Sequence, residues 1–325
     1  KITISIFNKH CNYRVRSSAG NQTNVFIFLG FSDLQHLQLF LFILVLLIYL
    51  IILIGNSLIV AVTVTDLKLQ SPMYFFLRNL SVLEICYTSA IIPKTLSNLL
   101  SERQTISFLG CATQMYFFLL FGNSECCLLT VMSYDRYIAI CNPMRYSFIL
   151  SRKVAIRLAS VVWIAGNVVA FEQTVTIFML SFHGSNKIEH FFCDVIPVLK
   201  LASTDTSLND VINTVLTVVF IIFPFTLTIT SYICILSTIL KMRSAEGRHK
   251  AFSTCSSHLI TVTLFFGSGF ITYMRPGSSG SVDTNRAISL LYTVITPMFN
   301  PIIYSLRNKE VKEALRKLLG SSRTS

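Results

Sequence analysis

Seven runs of 20 or more mostly apolar residues constrain this chain, at about 38–65, 73–99, 108–141, 155–180, 208–241, 250–274 and 287–306. Each is long enough to cross a hydrocarbon core of ~30 Å as a helix. Charged residues make up only 13% of the chain and hydrophobic ones 53%, against roughly 25% charged in an ordinary soluble domain. The expected fold class is an all-α membrane protein, a seven-transmembrane helix bundle. Residues 1–37 form an N-terminal tail, 38–306 the bundle, and 307–325 a short amphipathic helix and tail.

The basic residues orient that bundle. An odd number of spans places the termini on opposite sides. The connections at 65–78, 136–157 and 241–250 and the tail after 306, with Asp135 at the inner end of the third span, carry 17 Lys/Arg against five acids. The net charge of +12 therefore lies on one face, which the positive-inside rule makes cytoplasmic. The expectation is a multi-pass plasma-membrane protein with its N-terminus outside and its C-terminus inside. The basic pI of 9.4 reflects membrane topology, not nucleic-acid binding.

The third span holds the chemistry. Cys111, Phe118 and Glu125 are spaced by seven, and Arg136 lies eleven beyond Glu125. At ~100° per residue those steps drift by only about 20° each, so the four share one stripe. Glu84 in the second span and Glu125 in the third are acids at lipid depth, which default to a functional role. Asn56 in the first span is a polar residue among Leu, Ile and Val, a type that hydrogen-bonds a neighbouring helix. Two close carboxylates in low dielectric cannot both stay ionised and unpaired, so they share a proton or hold a cation. Glu172 is a third acid, in the fourth span, whose facing is open.

On the outer side, Asn21-Gln22-Thr23 is a glycosylation sequon. Residues 1–20 contain no apolar core of signal-peptide type and do not belong to the span pattern. The long connection at 181–207 offers two readings of Cys193. With His190 and Asp194 its spacing could ligate copper or zinc; at an oxidising surface it could instead pair with Cys111. Beyond the last span Val311, Leu315, Leu318 and Leu319 share one face, largely clear of Lys309, Lys312, Arg316 and Lys317. That pattern is a basic amphipathic helix on membrane lipid.

The stretch MSYDRYIAIC at 132–141 resembles the signature at the inner end of the third span of odorant receptors, a family of rhodopsin-like G-protein-coupled receptors. PMYFFL at 72–77, KAFSTCSSHL at 250–259 and PMFNPIIYSLRN at 297–308 are similar to the family's other signatures, in order and spacing. The resemblance covers about residues 21–319 and looks closer to the tetrapod-type class. It implies a receptor for a small volatile odorant coupled to a stimulatory, olfactory-type heterotrimeric G protein. In that reading Asp135 holds Arg136 at rest, and agonist releases Arg136 toward Tyr232 and Tyr304; Tyr137, Asn300 and Pro301 complete the switch. The ligand would be walled by Phe118, Leu119, Gly122 and Asn123, by Leu216, Thr217 and Phe220, and by Phe266, Phe270 and Tyr273. No cofactor is implied beyond a candidate sodium ion beside Asn56, Glu84, Glu125 and Asn300.

Two departures stand out. Where the family's outer loop has three cysteines at ten-residue intervals, this chain has His183, Cys193 and Ser203, so one bridge is expected rather than two. Phe266 stands where the family often has Tyr, which removes a hydroxyl from the expected pocket floor.

Other functions fit less well. A retinal-type photoreceptor needs a Lys in the last span, and 287–306 has none. A transporter or ligand-gated channel of seven spans is the alternative, but inverted repeats with broken helices at matching positions are not visible. An enzyme is not expected, because no His-Glu-x-x-His or Gly-x-Ser-x-Gly pattern occurs.

Overall fold

The computed structural model describes residues 23–31, 36–273 and 288–321. Seven long helices follow one another: α1 (Gln38–Thr65), α2 (Pro72–Leu99), α3 (Phe108–Cys141), α4 (Arg152–Phe178), α5 (Ser207–Lys241), α6 (Ala245–Tyr273) and α7 (Ile288–Ser305). An eighth, α8 (Lys309–Ser321), leaves the end of α7. Six of the seven are apolar enough over their length to cross a membrane. In α6 the apolar part is shorter, Cys255–Ile271, because its first turns carry Glu246, Arg248 and Lys250.

α1 shows why the bundle belongs in lipid. Leu39, Phe40, Leu47 and Ile54 are exposed, while Asn56 and Thr63 are turned inward and buried. A soluble helix would reverse that arrangement.

Local chemistry sets the helix ends. Pro72 opens α2 at a position where its missing N–H costs nothing. The Ser107 hydroxyl accepts from the Gly110 N–H (3.1 Å) and caps α3. α6 starts at Ala245, five residues before the expected 250, because Ser244 accepts from the Gly247 N–H (3.2 Å) and the basic connector is itself helix-forming. Two helices contain wide turns, Val218–Ile222 in α5 and Leu291–Ile295 in α7. Each ends just before a proline, Pro224 or Pro297. Proline has no N–H to donate, and its ring displaces the carbonyl four residues back, which opens the turn upstream.

α3 is the axis, packed against α2, α4 and α5. Cys111, Phe118, Glu125 and Arg136 are all buried along it. α4 approaches closely because residue 166 is glycine. A Cβ there would collide with the Ser124 hydroxyl and lie 2.9 Å from the Leu120 carbonyl oxygen.

One end of the bundle is closed by a lid. Three short strands, β1 (Val25–Phe28), β2 (Thr105–Ser107) and β3 (Lys187–Ile188), pair in the order β2-β1-β3. β1 runs antiparallel to β2 and parallel to β3. Phe26 and Phe28 point inward, and Phe26 meets Phe108 and Phe182 at 6.0 and 5.7 Å between ring centroids. The last residues of the N-terminal tail are thus part of the lid, which a four-residue alternation did not signal.

The Cys111–Cys193 disulfide ties the long loop to the top of α3, with Cα atoms 5.5 Å apart. That removes the metal reading: His190 Nε2 instead meets the Ser289 hydroxyl (2.7 Å), and Asp194 accepts from the Val195 N–H (2.8 Å). His183 and Ser203 are still neighbours. The His183 N–H donates to Ser203 Oγ (3.0 Å), and the Ser203 N–H donates to the Ser181 carbonyl (2.8 Å). The loop is therefore pinned at three places, although one disulfide is the covalent tie.

α8 rests part of its apolar face on the bundle, with Val311 in the core and Leu315 packed against it. Val311 and Ala314 are buried, and Leu318 is about one-third exposed, at 37%. The Tyr74 hydroxyl donates to Glu310 (2.6 Å), fixing the start of α8 against α2.

Candidate functional site

Beneath the lid a cavity encloses about 790 Å³ free of protein atoms, its open mouth included. Its position follows from the helix faces that meet there. Phe118, Leu119, Gly122 and Asn123 of α3 line it, with Leu216 and Thr217 of α5 and Phe266 of α6. No charged side chain is among its lining residues. Asn21 lies outside the described residues, as does the side chain of Tyr273.

Phe220 and Phe270 do not line the cavity. The wide turn at 218–222 takes in an extra residue and so rotates less per residue, and Ile221 takes the place expected for Phe220. Phe270 is turned toward α5, with its ring 4.8 Å from that of Phe225. Several lining residues carry no motif: Tyr87, Cys126, Gln173, Asn213, Gly269 and Tyr292. Gln173 Nε2 donates to Asn213 Oδ1 (3.3 Å), joining α4 to α5 at the cavity wall. The Tyr292 hydroxyl donates to Asp194 (3.2 Å), which links α7 to the lid. A polar residue within an apolar run was the available signal for Gln173 and Asn213. Glu172, beside Gln173, is only half-buried and does not line the cavity.

Deeper in the bundle, Glu84, Glu125 and Asn300 meet, all essentially without solvent exposure. Asn300 Nδ2 donates to Glu84 Oε1, and the carboxyl groups of Glu84 and Glu125 are in hydrogen-bonding contact. Glu84 Oε2, Glu125 Oε1, Asn300 Oδ1 and Ser124 Oγ remain buried without a partner. An all-oxygen set of this kind suits a hard cation. Asn56 is buried as well, but its amide nitrogen donates to the Ile52 carbonyl of its own helix (3.1 Å).

At the end opposite the lid, Asp135 and Arg136 are both buried. Asp135 does not clamp Arg136. Its Oδ1 accepts from the Tyr146 hydroxyl (2.8 Å), and among the described residues no carboxylate lies within 4.0 Å of the Arg136 guanidinium. Tyr146, in the connection after α3, was not expected in this role. Burial, and then the Asp135 carboxylate, push the Tyr146 pKa up, so the hydroxyl stays a donor at any physiological pH. Tyr137 of α3 packs against the cluster formed by Tyr232, Ile235 and Ile239 of α5 with Cys255 of α6. The Tyr232 hydroxyl meets His258 Nδ1 of α6 (2.7 Å). Tyr304 is buried at the same level, one turn past Pro301. Arg136 thus stands among groups from α5, α6 and α7.

The olfactory receptor family profile matches residues 45–322. The chain belongs to the olfactory receptor family. It is 53% identical to human olfactory receptor 10A7 over 301 residues, covering 92% of this chain and 95% of that protein. It is 54% identical to human olfactory receptor 10P1, covering 92% and 96% respectively. Mouse olfactory receptor 10P22 is 50% identical, again over 92% and 96%. The receptor is therefore a multi-pass membrane protein of a signalling family, not an enzyme.

Proposed function

We propose that the receptor binds a small, mainly apolar, neutral volatile in the cavity beneath the lid and, on binding, activates a stimulatory olfactory-type G protein that raises cAMP. The observation that carries this reading is the cavity wall, which is aromatic and aliphatic apart from Asn123, Cys126, Gln173, Asn213, Thr217 and the two tyrosines. An uncharged wall with a few polar groups selects a ligand oriented by one or two hydrogen bonds. The end bearing Asp135, Arg136 and α8 faces the cytoplasm in this reading, and the sheet and disulfide face outward.

Activation is a two-state equilibrium that the ligand biases by binding one state better. Arg136, Tyr232, Tyr304, Asn300 and Pro301 are the moving parts, with Asp135 and Tyr137 flanking Arg136. Sodium held among Glu84, Glu125, Asn300 and Asn56 stabilises the resting state; the Asn56 amide nitrogen donates to its own helix, so only its oxygen side could face the ion.

The test is a volatile panel on cells that express the receptor with a cAMP reporter. Neutral agonists should raise cAMP, and Arg136→Ala should abolish the response at equal surface expression. Agonists that are all amines or permanent ions would refute the cavity reading; a full response from Arg136→Ala would refute the coupling.

A further inference from the structure

We propose that the receptor holds the phosphate of an anionic phospholipid headgroup between Arg78 and Arg152. At the end opposite the lid, α2 and α4 leave a second cavity, about 360 Å³ free of protein atoms with its open mouth included. Arg78, Arg152, Gln70 and Ser71 supply its polar side, and Leu69 and Phe75 its apolar side.

The two arginines have little else to do. Arg78 is half-buried six residues into α2, ~9 Å along the helix at ~1.5 Å per residue. Its guanidinium lies over the Phe75 ring, 5.4 Å from the centroid. Arg152 is exposed at the first turn of α4. Among the described residues neither has a carboxylate within 4.0 Å. The Ser71 hydroxyl makes no capping bond, whereas the Gln70 amide is engaged with the Thr63 and Asp66 carbonyls.

A cation part-way into a membrane helix is costly unless an anion meets it. Guanidinium groups recognise phosphate oxygens through forked, charge-assisted hydrogen bonds. Both helices also begin at this end, so their dipoles add to the attraction. A lipid fits better than free phosphate because the cavity opens between two membrane-crossing helices. Phe75 lines it, and Ile156, next to the lining residue Ala155 on α4, is exposed to meet acyl chains. Two guanidinium groups match the nearly two negative charges of a phosphomonoester, so the occupant is a phospholipid whose headgroup carries one.

The test uses the full-length receptor purified in detergent and a fluorescent phosphatidylinositol bisphosphate. Replacing both arginines (Arg78→Gln with Arg152→Gln) should weaken binding about 30-fold, and Arg152→Gln alone about fivefold. Arg152 is exposed, so that single variant keeps the test valid if the double variant folds poorly. Lys312→Gln with Arg316→Gln, on α8, should change binding much less. Soluble inositol trisphosphate and inorganic phosphate should compete weakly. Unchanged affinity in Arg152→Gln and the double variant, or a loss confined to the α8 variant, would overturn the site. Competition by the soluble phosphates as strong as that by the lipid would overturn the lipid assignment. None of these readouts depends on odorant response or G-protein coupling.

Discussion

Removing the Tyr146 hydroxyl should weaken signalling by freeing Asp135 to take Arg136. In the structure Asp135 is buried and spends Oδ1 on Tyr146 at 2.8 Å, while among the described residues the guanidinium of Arg136 has no carboxylate partner. A hydrogen bond to a charged group contributes about 1.5–3 kcal/mol, and Tyr146→Phe forfeits it without changing the ring. The buried carboxylate then turns to Arg136, the cation next to it in the chain. At about 1.4 kcal/mol per tenfold, the population with Arg136 free falls by about 10- to 150-fold. The assay is cAMP against agonist concentration in cells with matched surface receptor. Tyr146→Phe should shift potency to higher concentration by at least about tenfold, at the lower limit of that estimate, and lower any basal signal. The double variant with Asp135→Asn should recover much of the loss, since no carboxylate remains to capture Arg136. Potency within about twofold of the wild type, or a double variant no better than the single one, would refute the partner exchange.

Gly166→Val should destabilise the receptor by roughly 1–3 kcal/mol, because the new side chain meets Ser124 and the Leu120 carbonyl; an unchanged thermal midpoint in detergent would refute the close packing of α3 on α4. Sodium should lower agonist potency at constant ionic strength, and Glu125→Gln should remove that sensitivity; equal wild-type potency in low- and high-sodium buffers would leave a shared proton as the occupant of the Glu84–Glu125 cluster. Ile221→Ala should alter agonist potency and Phe220→Ala should not, because the wide turn of α5 presents Ile221 to the cavity; the opposite pattern would refute that register.

The features legible in the sequence are those with a long period or a high desolvation cost. Membrane-length runs expose α1 to α7 to within a few residues, since lipid permits little else of that composition. Glu84 and Glu125 stood out because a carboxylate at that depth needs a partner, and the structure brings Glu84 to both Glu125 and Asn300. What the sequence hid depends on small rotations and short contacts. Counting at a uniform ~100° per residue cannot anticipate that α5 widens before Pro224, and so it assigned Phe220 to a wall that Ile221 forms. β1 escaped notice because four alternating residues carry too little periodicity, and its partners β2 and β3 lie about 80 and 160 residues away. The exchange of Arg136 for Tyr146 as the partner of Asp135 is of the same kind. Adjacent residues in a sequence suggest a pair, but helix geometry turns neighbours ~100° apart and leaves the choice to whatever folds back against them. Here the connection after α3 folds back and presents a hydroxyl. The motif thus located the buried pair of charges, while the partner of Asp135 was set by the loop that packs beneath it.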